Sequence, residues 1–424
     1  MAWTDKPASF YIPVMYDPKM FPKSQRDYAH YFLNLLHWKW ISWQADNRGY
    51  IRLKYDYLTK VIPVSVYKTL RNALIDSGVV QCDKQAQQGH KSYGFRLAPG
   101  YRHTRRVRCR DESVDHAIRV AYGTATVSLL PVHEWLKRRL AVLTFDMPLA
   151  ESIVATMVPD EGSTLTVGAY RLQLLETCQK FVDGELPLTC DRFGRVHTPI
   201  TSLAKQLRPC LRVDGEPLVS LDLANSQPLI AGICARQFFR AGKSKQRLLL
   251  RTFEDGRDPY RYADQQPATK ADRHPDVEEY IELCERGRFY ESLMERGEDR
   301  NRFKTRFYAE VFFGKPSWRS KLRNRFEDRY PSVAAMLEEL KRTDYRRSAW
   351  ILQNYEATIF IRGICNKIRA KRPKLALYTV HDSFLMKRAD VGLVRRMILA
   401  EFNRYGVRPN LSLESYRDPT TAVA

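Results

Sequence analysis

Apolar and aromatic side chains recur at helical intervals over residues 26–44. Tyr28, Tyr31, Phe32, Leu35 and Leu36 share one side there, so a helix is expected. The turn Asn47-Arg48-Gly49 leads into strand-like Tyr50-Ile51-Arg52-Leu53, and Asp56-Tyr57-Leu58 opens a short second helix. A third helix is expected over residues 66–76, with Ser65 as N-cap, Leu70, Leu74 and Ile75 inward, and Gly78 closing it. Lys68 and Arg71 fall on its outer side. Residues 79–82 and 92–97 read as two strands joined by a polar loop that carries Lys84, His90 and Lys91. Residues 101–110 hold five arginines and read as a solvated hinge or a phosphate-tracking strap. Residues 112–182 are mainly amphipathic helix, for example 132–142 and 170–181.

Two apolar runs each carry one acid. In Leu377-Tyr378-Thr379-Val380-His381-Asp382-Ser383-Phe384, strand alternation puts Tyr378, Val380, Asp382 and Phe384 on one face. An aspartate suits a strand interior poorly, so a hairpin turn or a metal ion is needed to account for it. The second run, Val219-Ser220-Leu221-Asp222-Leu223, is followed by small and polar residues. A helix over 228–239 comes next, with Pro228 in its first turn.

The charge narrows the partners. A formal net charge of +22 over 424 residues, spread along the chain, favours a long channel for a phosphate backbone. No apolar run is long enough for a membrane span, and the N-terminus lacks the apolar core of a signal peptide. The eight cysteines form no C-x-x-C pair, which argues for reduced thiols in a cytosolic setting and against structural zinc.

Between the two acidic runs, Arg300, Lys304, Tyr308 and Phe312 recur every four residues and are followed by Phe313-Gly314-Lys315. Two cations and two aromatics then project from one side of a helix, suiting a triphosphate and a stacked base. Gly194-Arg195 follows the turn Asp191-Arg192-Phe193, and Leu352-Gln353 opens a helix through Glu356 and Phe360. With Asp222 and His381-Asp382-Ser383, these motifs stand in the order found in family A DNA polymerases and single-subunit phage-type RNA polymerases. The chain resembles their palm and fingers from about residue 191 onward.

The resemblance implies a right-hand polymerase of α/β (α+β) class performing two-metal nucleotidyl transfer. Asp222 and Asp382 would be catalytic. With the Leu223 carbonyl they would hold two Mg2+ ions. Arg300, Lys304, Tyr308, Phe312 and Phe313 would bind the incoming nucleotide. Arg195, Gln353 and His381 would touch primer or template. Position 227, where DNA-polymerising relatives carry Glu against the sugar 2′ position, is Gln227 here. Ser383 follows the second aspartate, as in the RNA polymerases. Both departures leave the choice between dNTP and NTP open.

Helix, strand, helix, helix, strand, strand is also the order of a winged helix, so residues 1–100 resemble the DNA-binding modules of replication proteins. Lys68 and Arg71 would contact duplex DNA there. The expected division is 1–100 winged helix, 101–111 basic linker, 112–190 helical thumb-like segment, 191–240 palm, 241–345 fingers and 346–424 palm. That leaves no room for a proofreading exonuclease ahead of the palm. DNA synthesis in phage or mobile-element replication is the expected function, with DNA and nucleoside triphosphates as partners. The rivals are an RNA polymerase or primase, and an inactive DNA-binding initiator.

Overall fold

The structure is a computed structural model, and it describes residues 7–41, 46, 48–85, 92–121, 129–160, 163, 165–240 and 274–415. His90, Lys91 and the 241–273 part of the expected fingers lie outside the described residues. The architecture mixes helices with antiparallel sheets, as the α+β expectation requires. The chain forms two compact units. One comprises Met1–Ser128, Thr144–Thr189 and Leu203–Cys210, and the other Leu129–Leu143, Cys190–Ser202 and Leu211–Ala424.

In the first unit, helix Lys23–Ile41 follows strand Ser9–Pro13. Strand Ile51–Arg52, helices Tyr55–Leu58 and Val64–Asp76, and strands Val80–Cys82 and Gly94–Leu97 come next. The last strand is central in a three-stranded sheet, pairing with the other two. Phe32, Leu36, Leu70, Leu74 and Phe95 are fully buried in its core, and Phe32 meets Phe95 edge-on at 5.4 Å. The third helix begins earlier than expected, because Pro63 precedes it and Ser65 lies inside its first turn. Gly78 ends it with φ of 75°.

The residues expected to be a basic linker are a strand instead. Thr104–Arg108 pairs antiparallel with Ser9–Pro13, and Arg106 ion-pairs with Asp183 and Glu185. Three arginines in five partly exposed residues disguise it. Helix Val167–Val182 joins the same unit through a buried contact between His37 and Glu176 at 2.7 Å. Asp27, also buried, accepts from the backbone N–H groups of Arg110 and Asp111 at 2.7 and 2.8 Å, fixing the end of the strand.

The second unit is organised around a four-stranded antiparallel sheet in the order Leu377–Val380, Ser383–Met386, Val219–Leu223, Leu411–Ser415. Its first two strands are buried along their whole length, and Phe384 stacks on Phe360 at 5.4 Å. Burial on both faces explains why these strands read as continuous apolar runs. Helix Ser226–Arg240 leaves the end of the Asp222 strand, two residues before the expected start. The eight cysteines are all free thiols. Among the described residues no helix is long and apolar enough to cross a membrane.

Candidate active site

The apolar run around Asp382 is a hairpin. Val380 and Ser383 face each other across it, leaving His381 and Asp382 as the two turn residues. His381 is exposed, with φ of 52°, a conformation that non-glycine residues adopt rarely. Ser383 Oγ donates to Val380 O at 2.9 Å and ties the turn. The turn interrupts the expected alternation: Phe384 opposes Thr379 and shares its face, not that of Val380.

Register does the rest. Asp222 opposes Ser383, so the two aspartates reach the same end of the sheet. The Asp382 carboxyl is pushed up to about 7, first by burial, then by the charges of Asp222 and Glu356, with Lys304 pulling the other way. Both aspartates are half-buried. Leu223 is 2% exposed and pairs with Leu411 in the sheet, so its side chain is buried away from the site.

Glu356 is the site residue that motif reading passed over. It lies on helix Arg347–Ala357 and is 3% exposed. Arg195 Nη2 donates to both its oxygens, at 2.8 and 2.9 Å, and Gln227 Nε2 donates to one of them. Burial raises its proton affinity against the pull of these two donors. Arg195 is presented by a turn in which Asp191 Oδ1 accepts from the N–H groups of Phe193 and Arg195 at 2.8 and 3.0 Å, with Gly194 at φ 85°. Gln353, half-buried, lies three residues before Glu356 on the same helical face.

Helix Arg300–Phe307, capped by Asp299, carries the cationic stripe. It does not keep a four-residue step to its end. Tyr308–Phe312 is a wider π turn, in which Phe313 N–H donates to Tyr308 O at 2.9 Å. The turn is built in. Buried Lys341 donates to Val311 O at 2.5 Å, and buried Ser348 to Phe312 O at 2.8 Å. Gly314 is required, because a Cβ would come within 2.6 Å of Glu310 O.

The π turn decides which aromatic continues the stripe. Phe312 is 0% exposed and packs on Phe307 at 4.8 Å, so its expected place against a nucleotide is corrected to the core. Phe313 is half-buried and stacks on Tyr308 at 5.5 Å and 19°. The surviving stripe is Arg300, Lys304, Tyr308 and Phe313. Tyr308 accepts from Tyr290 OH at 3.0 Å. Its phenol proton affinity is raised by burial and, against that hydrogen bond, by the charges of Asp382 and Glu356. Lys304 and Tyr308 thus lie within electrostatic range of Asp382. Arg300 Nε donates to Glu291 at 2.6 Å, and its Nη2 lies 3.5 Å from Asn225 Oδ1, three residues beyond Asp222. Lys304 is exposed.

Phe312→Ala is expected to cost about 3–5 kcal/mol in urea unfolding, as for other buried aromatics. Phe313→Ala should cost less than about 1.5 kcal/mol, and equal losses at the two positions would contradict the assignment. The two remaining expected contacts, Lys68 and Arg71, lie in the first unit. Lys68 is exposed and Arg71 half-buried.

Asn225 is buried at φ 55°. Among the described residues, its Nδ2, Ser226 Oγ and Gln227 Oε1 have no hydrogen-bond partner. Among the described residues no group of three His, Cys, Asp or Glu side chains is placed to hold a metal ion, so a cation here would rest on two carboxylates.

No protein-family profile matches the chain, and no curated protein does. Among solved structures, the chain is similar to the POL domain of Pol1 from M. smegmatis, in a complex with DNA primer-template and dNTP. Identity is 12%, the TM-score is 0.35, and 71% of this chain and 72% of that chain are covered. A TM-score of this size is too low to transfer fold or function.

Proposed function

We propose that the chain is a template-directed nucleotidyltransferase, a DNA polymerase that extends a 3′-hydroxyl. The observation that carries the reading is the register of Asp222 against Ser383. It brings two acids from distant apolar strands to the same end of the sheet, where burial first and the Asp222 charge second push the Asp382 carboxyl up to about 7. Two like charges at the end of a buried sheet call for a cationic partner.

Mg2+ fits this donor set. It takes one or two carboxylates and completes its octahedron with water and substrate phosphates, so no third protein acid is needed. Asp222, Asp382 and the Leu223 carbonyl would hold two ions. Bound there, the ions would supply an activated 3′-hydroxyl and a stabilised leaving oxygen.

The protein's own groups would position the reactants. Arg300 and Lys304 would take the triphosphate, the first as a fork and the second as a point charge. The stacked Tyr308–Phe313 pair would receive the base. Arg195, Gln353 and His381 would meet primer or template. Glu356 would hold Arg195 and Gln227 in register beneath them. Residues 1–100 would act as a winged helix that brings the enzyme to its DNA.

A second reading is an RNA polymerase or primase, favoured by Ser383 and by Gln227, whose amide is tied to Glu356. Extension of a primed DNA template with dNTPs, with NTPs, and without primer separates the readings. The expected result is primer-dependent extension with dNTPs. Strict NTP use, or synthesis without primer, would favour the second reading. No product under any condition would leave the inactive initiator.

A further inference from the structure

The exposed face of the Val64–Asp76 helix does not look built to read a duplex. Val64, Lys68 and Arg71 share that face at four- and three-residue steps, and Val64 is 62% exposed. Beside them lies a continuous ladder of rings and one cation. Tyr55 meets Tyr67 edge-on at 5.4 Å, and the Arg71 guanidinium sits 5.7 Å from the Tyr67 ring and 5.5 Å from the Tyr93 ring. Tyr67 is buried, while Tyr55 and Tyr93 are 48% and 38% exposed.

Reading base edges in a major groove needs amides or guanidinium forks aimed outward. Arg71 is not available as a fork. Its Nε and Nη2 donate to Asn72 Oδ1 at 3.1 and 2.9 Å, and its plane serves the two tyrosines. What is left exposed is two tyrosines, one apolar side chain and one ammonium group. Those are the parts of a stacking platform on a basic groove, which suits bases that are already unpaired.

We propose that the Tyr55–Tyr67–Arg71–Tyr93 ladder binds single-stranded DNA, with Tyr55 and Tyr93 stacking on unpaired bases and Lys68 neutralising a phosphate. The proposal rests on the DNA-partner reading above, but not on catalysis. It places the first unit on a melted or displaced strand, not on the groove of a closed duplex.

The test uses the full chain and a 5-iododeoxyuridine oligonucleotide of about 12 nucleotides, single-stranded or annealed to its complement. After irradiation and trypsin digestion, adducts are expected on the peptides spanning residues 55–60 and 92–96, from the single strand only. In anisotropy titrations Tyr93→Ala and Tyr55→Ala should each weaken the single strand about ten-fold and the duplex less than about two-fold, while Tyr93→Phe binds as wild type. Adducts confined to other peptides, or equal loss for strand and duplex, would overturn the proposal. Repeating the crosslink with Asp382→Asn should give the same adducts. Failure of the polymerase reading would therefore leave this result intact.

Discussion

Asp382→Asn raises the melting temperature of the metal-free protein at pH 8 by roughly 2–6 °C and removes its response to Mg2+. The first effect follows from the hairpin and the register. Burial and the facing Asp222 move the Asp382 carboxyl from 3.8 to about 7. A fully sealed group so displaced would carry about 4 kcal/mol, and solvent reaching this half-buried one reduces that to about 1–2 kcal/mol.

The sign depends on pH. A carboxyl with a raised folded pKa binds its proton more tightly in the native state, so the wild type loses stability as pH rises from about 4 to about 7. The burden is full above 7 and absent below about 4, so the variant should gain at pH 8 and not at pH 4. A cation offsets the same repulsion in the wild type alone, which makes a Mg2+ titration of the melting temperature the second check. A variant no more stable than wild type at pH 8 would mean that neither burial nor the Asp222 charge weighs on the ionised Asp382 carboxyl.

Glu356→Ala is expected to cost about 3–5 kcal/mol, the usual effect of stripping one partner from a buried ion pair. Arg195, with its Nε already buried and unpartnered, would lose both carboxylate contacts, and Gln227 Nε2 would lose its acceptor. The paired change Arg195→Met with Glu356→Leu should cost less than Glu356→Ala alone, because no charge is left stranded. Urea unfolding of the two variants measures this. A loss below about 1 kcal/mol for Glu356→Ala, or a paired change that costs as much or more, would contradict the network.

Much of this site is legible in the chain before it folds. Asp222 and Asp382 stand out because each interrupts an apolar run, and the burial of the sheet on both faces is why the runs are apolar. The hairpin at His381-Asp382 is one of the two accounts the sequence leaves open for that acid, but the alternation of Tyr378, Val380, Asp382 and Phe384 continues by coincidence across the turn and does not decide for it. No glycine or asparagine marks it either; a histidine takes the positive φ. The choice between Phe312 and Phe313 cannot be read from spacing, since a π turn adds one residue without changing composition. Its cause lies in Lys341 and Ser348, which supply donors from elsewhere in the chain.

Glu356 left a fainter trace. It is the one acid in the apolar stretch Ile351 to Ile361, three residues after Gln353, but helices carry such acids routinely. Only the approach of Arg195 and Gln227 marks it out. The Thr104–Arg108 strand was hidden for a related reason: its partner, Ser9–Pro13, lies far back in the sequence, and its arginines read as solvated charge.

The central claim is that Asp222 and Asp382 together form the catalytic centre of a nucleotidyltransferase. It is tested most directly by primer extension with Mg2+ and dNTPs, with wild type beside Asp382→Asn and Asp222→Asn. The expected result is extension by wild type and a loss of at least about 1,000-fold in both variants, with their binding of primer-template retained. Equal extension by all three proteins, or none by wild type, would contradict it.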